Sequence, residues 1–199
     1  MVKIHKKSFN LMVVIAFVSL LACSSPQQVY DKKLQEYHQG LNDYIKTQLE
    51  IDKSALSDFK GLNFFEANKK LIVEANIMWL PQMQFIDLKH TGGDFRPYMK
   101  VAELVFKIDG KPYVLQAYQN EQMRMNRKLF IPFTDESNGE TSYAGGRYLD
   151  VSYAPQAGKC NIDFNYAYAP VCAHIHSFSC PIVPHANHLQ LSVMAGERK

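Results

Sequence analysis

Net charge is absent from most of this chain. The 199 residues carry 22 lysines and arginines against 19 aspartates and glutamates, a formal charge of +3. Lys3, Lys6 and Lys7 account for that excess, because residues 1–22 hold no acid and the remainder has 19 of each sign. A surface with no sign in excess has no field with which to gather polyanions, so nucleic acid is excluded as a partner. Apolar runs are equally scarce: past residue 22, no stretch approaches the roughly 20 residues that a membrane-spanning helix needs. Internal repeats and low-complexity tracts are missing, which excludes a solenoid. Cysteine is sparse, four in all, and none stands in the Cys-x-x-Cys spacing of a zinc-ligand pair. The acids of the segment 130–150 lack the glycine and acid spacing of a calcium loop. No cofactor is expected.

What is present begins at the N-terminus. Lys3, Lys6 and Lys7 form a basic head, Leu11 to Ala22 are apolar apart from Ser19, and Leu20-Leu21-Ala22 leads directly into Cys23. A core of about a dozen residues is too short to span a bilayer but suits an export signal. The pattern resembles a bacterial lipoprotein signal. It implies cleavage after residue 22, with Cys23 diacylated (palmitate-type chains) and its new amine acylated. The expected organisation is a signal over 1–22, a lipidated cysteine and short tether over 23–28, and one globular domain over 29–199. Two or three acyl chains hold a membrane far more firmly than one. Ser24 is not the aspartate that retains some lipoproteins at the inner membrane, so the expected address is the outer membrane, facing the periplasm.

Leu34, Tyr37, Leu41, Tyr44, Ile45 and Leu49 recur at helical steps, predicting an amphipathic helix with that stripe in the core. After Gly61 the period becomes two. Leu71, Val73, Ala75, Ile77 and Trp79 alternate with Ile72, Glu74, Asn76 and Met78, and Val101–Ile108, Asp109-Gly110 and Tyr113–Tyr118 read as a hairpin. Met83–Leu88, Lys128–Pro132, Arg147–Tyr153, Asn161–Phe164 and Leu189–Met194 complete about eight short strands. The expected fold is mainly β (α+β): an antiparallel sandwich or barrel preceded by the helix.

Two stretches carry candidate chemistry. In the first, Asp135, Glu140, Arg147 and Asp150 stand close in sequence and can converge with Asp163 and Asn165, with Tyr143 as a donor. Carboxylates beside an arginine suit polar-ligand binding or acid–base hydrolysis, and they equally suit a structural ion-pair network, which is the weightier expectation. In the second, Cys172 and Cys180 bracket His174 and His176, with His185 and His188 beyond. Export places these cysteines in an oxidising compartment, so a Cys172–Cys180 disulfide is expected, leaving Cys160 spare. A metal set of Cys172, His174, His176 and Cys180 is the lesser alternative.

Together these stretches resemble the uncharacterised bacterial and archaeal family called domain of unknown function 1684. The carrying residues are Phe130-Ile131-Pro132-Phe133, Asp135, Gly139, Tyr143, Gly145 to Asp150, Asp163-Phe164-Asn165, Ala167-Tyr168 and Pro170. Cys172-Ala173, Cys180-Pro181, Pro184, Asn187, Leu189 and Ala195-Gly196-Glu197 continue the pattern. The chain departs from it where Glu140 sits one place early, where Ala169 stands for an asparagine and His174 for a tyrosine, and where Ala186-Asn187-His188 replaces a Glu-Asn-Arg-like triplet. The resemblance implies no known reaction. The expected role is therefore a non-catalytic, membrane-anchored domain that binds a small molecule, glycan or protein; the alternative is a hydrolase using Asp135, Glu140, Arg147 and Asp163.

Overall fold

The computed structural model describes residues 25–53 and 56–199. The signal-like segment and the Cys23 lipidation position lie outside the described residues.

The first element is a helix, α1 (Pro26–Asp52). Its start is set by Ser25, whose hydroxyl accepts the Gln28 N–H while the Gln28 side chain accepts the Ser25 N–H at 2.8 Å. This reciprocal cap, with proline at the first helical position, starts the helix inside the stretch 23–28 that reads as a tether. Leu34, Ile45 and Leu49 are buried as the stripe predicts, but Tyr44 faces solvent at 48% exposure. Tyr44 lies at the edge of the stripe, where a phenol can keep its hydroxyl wet.

Strands follow in the order β1 (Asn63–Phe64), β2 (Ile72–Lys89), β3 (Phe95–Ile108) and β4 (Lys111–Gln119). After a short helix α2 (Glu121–Met125) come β5 (Lys128–Asp135), β6 (Arg147–Ser152), β7 (Lys159–Asp163), β8 (His188–Leu189) and β9 (Glu197–Arg198). The main sheet runs β6-β5-β4-β3-β2-β7, antiparallel throughout, with β8 alongside β5. β6 and β7 approach each other, so the sheet curls into a nearly closed barrel. The β3–β4 turn is Asp109-Gly110 with φ of 48° and 79°, the two positive values that a two-residue hairpin turn needs.

Two expected strands, 71–79 and 83–88, form one long β2. Pro81 lacks an N–H for the ladder, and the chain absorbs it with a register shift between Trp79 and Gln84 rather than by stopping. The expected strand Leu189–Met194 shrinks to the two residues of β8, for a reason given below. Inside the barrel, Ala75, Ala102, Leu104, Leu115, Ala117, Leu129, Ile131, Phe133 and Ile162 are fully enclosed.

Helix α1 lies against the barrel through specific ties. Tyr30 donates to Asp163 at 2.9 Å, and Tyr37 donates to the Tyr166 carbonyl at 3.0 Å. The His38 ring stacks on Phe64 at 3.6 Å, and Asn42 accepts the Leu62 N–H at 2.7 Å. Ile45 and Leu49 pack on the buried Ile175, which makes a second small core between the helix and the loop 171–180.

Candidate functional site

The candidate cluster resolves first into a buried knot. Arg147 on β6 and Asp135 at the end of β5 face each other across the antiparallel pair, 2.9 Å apart, both side chains with no exposure. The guanidinium donates further to the carbonyls of Val193 (2.8 Å), Ala195 (2.5 Å) and Glu197 (3.1 Å). Asp135 accepts the Ser137 and Val193 N–H groups through its other oxygen. The carbonyls of Val193 and Ala195 and the Val193 N–H are therefore taken by these two side chains and not by a strand partner, which is why β8 stops early and pairing resumes only at β9. Arg147 also stacks between Phe133 and Phe65, 5.5 and 6.0 Å from the ring centres.

The other acids of that cluster go elsewhere. Glu140 is exposed on a turn. Asp150 keeps surface in water while its carboxylate accepts the Tyr168 hydroxyl at 3.0 Å, and the protein packed around it raises its pKa above the ordinary carboxylate value. Asp163 accepts from Tyr30 and caps the turn at Asn165, and buried Asn165 in turn exchanges two hydrogen bonds with the Asn68 backbone. Asp135 and Arg147 thus meet without a cavity, and Glu140, Asp150 and Asp163 do not join them. Asp163, Asn165 and the Asp135–Arg147 pair fasten α1, the loop 65–68 and the C-terminal segment to the barrel.

A cavity lies beside the knot. A cleft of about 570 Å³ opens between the loop 58–63, Tyr143-Ala144, the turn 171–174 and residues 197–199. Its floor is Glu197, 4% exposed, placed by the pairing of β9 with β1. Gly196 just before it has φ of +72°, and a Cβ there would press into the Ala167 carbonyl oxygen, so only glycine lets β9 approach. The Glu197 carboxylate accepts the Ala169 N–H at 2.9 Å through Oε2. Oε1 lies 2.9 Å from His174 Nε2, at ion-pair distance but outside hydrogen-bond alignment. His174 reaches there from the tight turn Val171–Ala173, where its N–H donates to the Val171 carbonyl at 2.9 Å. His174 lines the cleft with Nε2 turned towards the carboxylate.

The walls supply contrast. Phe59, Leu62, Ala144, Ala169 and Ala173 are apolar lining residues, while exposed Lys60, Arg198 and Lys199 outnumber Asp58 and Glu197 among the charged ones. Tyr143 also lines the cleft, half-buried, its phenol pKa raised by burial and then by the nearby Cys172 and Cys180. Of the cluster candidates, Tyr143 alone reaches this cleft.

The sequence reading missed the pairing of His174 with Glu197. Its one legible trace is Ala195-Gly196-Glu197, a glycine of special backbone conformation set before an acid.

Cys172 and Cys180, expected as a disulfide, are free thiols here, both buried and in contact. The Cys172 N–H donates to Cys180 Sγ at 3.2 Å, and burial pushes the Cys180 thiol up to about 12. Cys160 stands apart in β7 opposite Ala75, its thiol pushed up to about 11 by burial. The alternative of Cys172, His174, His176 and Cys180 as metal ligands draws no support from the geometry. Among the described residues, no three His, Cys, Asp or Glu side chains are placed to share an ion. His174 turns to Glu197, His176 and His185 face solvent, and His188 sits 3.2 Å from Glu136.

The pattern of protein of unknown function DUF1684 matches residues 57–198, and the chain belongs to that family. It is similar to the solution NMR structure of an uncharacterized protein from Haloarcula marismortui. Identity is 31%, with a TM-score of 0.66, over 87% of this chain and 96% of that one. Among curated proteins, none matches.

Proposed function

We propose that this chain is a lipid-anchored protein of the cell envelope whose barrel binds a small amphipathic anion, without transforming it, in the cleft floored by His174 and Glu197. One observation carries the binding reading: a buried carboxylate lies 2.9 Å from an imidazole in a cleft lined both by apolar side chains and by an excess of cationic ones. A volume of about 570 Å³ suits a small molecule better than a glycan chain or a protein. Lys60, Arg198 and Lys199 would attract the anionic end, the Phe59 and Leu62 side would cover the apolar body, and His174 would fix orientation.

The anchor reading draws its support from Leu20-Leu21-Ala22-Cys23 and from the start of α1. Only Ser24 and Ser25 separate Cys23 from the first helical residue. Acyl chains on Cys23 would hold the body close against the bilayer, at the outer membrane facing the periplasm. Among the described residues, no helix is long and apolar enough to cross a membrane.

The probe for the cleft is 8-anilino-1-naphthalenesulfonate, an aromatic anion. Fluorescence titration is expected to give one site, weakened at least tenfold by His174→Ala and several-fold by Lys60→Ala. Unchanged affinity in both variants would remove the cleft as the site. Hydrolysis keeps one supporting observation, namely that a carboxylate orienting an imidazole is also the arrangement of a general base. Turnover of 4-nitrophenyl esters, abolished by Glu197→Gln with the probe still bound, would decide for it.

A further inference from the structure

We infer that Cys172 and Cys180 form an oxidation site: exchange with a disulfide donor joins them, and the bond fastens the loop that carries His174. The fastening role rests on the cleft reading above, whereas the crosslink itself does not.

The two thiols are already partnered. The Cys172 N–H reaches Cys180 Sγ at 3.2 Å, and both side chains are buried. Each is held from its own side. Cys172 sits in the turn Val171–Ala173, while Cys180 exchanges two hydrogen bonds with Thr91, at 3.1 Å to Oγ1 and 2.9 Å from its N–H. Cys160 cannot compete from the barrel wall. An entry route exists, since Cys172 lines a second cleft of about 270 Å³ together with Thr91, Gly92, Tyr143 and His176.

The residues between the cysteines give the bond its meaning. His174 faces the ligand cleft, and Ile175 plugs against Ile45 and Leu49 of α1. Beyond them the loop is held by hydrogen bonds near water, Ser177 to Asp52 (2.6 Å) and Ser179 to Asp94 (2.5 Å). Such exposed ties exchange readily with solvent. A covalent closure at the root of the loop would hold His174 against Glu197 when they do.

The chemistry balances as follows. The Cys172 thiolate attacks one sulfur of the donor disulfide, the donor S–S bond breaks, and the first donor thiolate leaves. Cys180 loses its proton to water and attacks Cys172 Sγ, and the second donor sulfur departs as a thiolate. The protein loses two electrons and two protons, and the donor disulfide is reduced to two thiols. Burial of Cys180 slows both its attack and its later departure, because a thiol of raised pKa is a poor leaving group. The product is a durable fastening and not a rapidly cycling couple.

Lys159 and Arg198 flank a stretch free of lysine and arginine, so one tryptic peptide, 160–198, carries all three cysteines. The full chain is exported, or reduced and then exposed to glutathione disulfide. It is denatured in N-ethylmaleimide and digested. The peptide is expected to carry a single label, on Cys160, with two hydrogens missing elsewhere, and three labels after reduction. Three labels without reduction, or a bond that includes Cys160, would overturn the site. For the fastening role, dithiothreitol-reduced wild type is titrated with 8-anilino-1-naphthalenesulfonate and is expected to bind at least fivefold more weakly than the oxidised form. Equal affinity would overturn that role, while failure of both forms to bind would overturn the cleft reading and the role with it. The peptide mass decides the crosslink in every case.

Discussion

Arg147 keeps a full charge where no water reaches it, and its neighbours explain how. Asp135 neutralises it, three carbonyls accept its N–H groups, and Phe133 and Phe65 cover its faces. Removing one member of such a pair strands the other. Arg147→Met is expected to destabilise by about 3–5 kcal/mol in urea denaturation, because it leaves Asp135 buried and uncompensated. Adding Asp135→Leu should recover part of that loss, and no recovery would mean that the carbonyl contacts dominate. Asp150 gives the opposite sign. Its pKa is raised in the folded protein, by burial first, so the fold favours the protonated form. Stability from this group is present below the ordinary carboxylate pKa and is lost as pH rises through the raised one. Asp150→Asn is therefore expected to stabilise at pH 7 and to be neutral below about pH 3.5; a gain that persists in acid would refute the assignment. The sequence announces Asp135, Arg147 and Asp150 as polar residues close together. It cannot say which carboxylates end up enclosed, because a buried ion pair and an acid–base site use the same residue types.

At the scale of elements, alternation is the strongest signal, and it finds every long strand of the barrel. It fails where one side chain replaces a ladder. The expected strand Leu189–Met194 ends early because the carbonyls of Val193 and Ala195 go to Arg147, a partner about 50 residues away that no local period reveals. It fails also at Pro81, where a single bulge lets two expected strands become one. Helix α1 is legible, but its docking is not, because the contacts join it to 163–178 far along the chain. That docking rests on few apolar residues. Ile45→Ala is expected to release the C-terminal half of α1 at lower urea than the barrel, with a local loss of about 2–4 kcal/mol. Helical ellipticity should fall before the fluorescence of Trp79, whose indole N–H is tied to the Ala157 carbonyl on the barrel. Coincident transitions would show that helix and barrel unfold as one.

Across the whole molecule, residues 23–199 carry no net charge, so membrane attachment has no electrostatic supplement to the acyl chains. The proposed anchor then makes a sharp prediction. Wild type is expected in the detergent phase after Triton X-114 partition, at any salt concentration, and Cys23→Ala in the aqueous phase with an unchanged circular dichroism spectrum. Wild type found in the aqueous phase would end the anchor reading.

The Arg147 knot also sets an order of events in time. The ribosome delivers Asp135 and Arg147 some fifty residues before Val193, Ala195 and Glu197, so the β5–β6 pair can form while the guanidinium still has water for company. Only when the tail emerges can that water be exchanged for carbonyls, and the same movement carries Glu197 beneath His174. A chain interrupted before residue 193 would hold a curled sheet with a wet arginine and no floor to its cleft. On the proposed cleft, binding competence would be the last thing this molecule acquires, arriving together with the closing of the core.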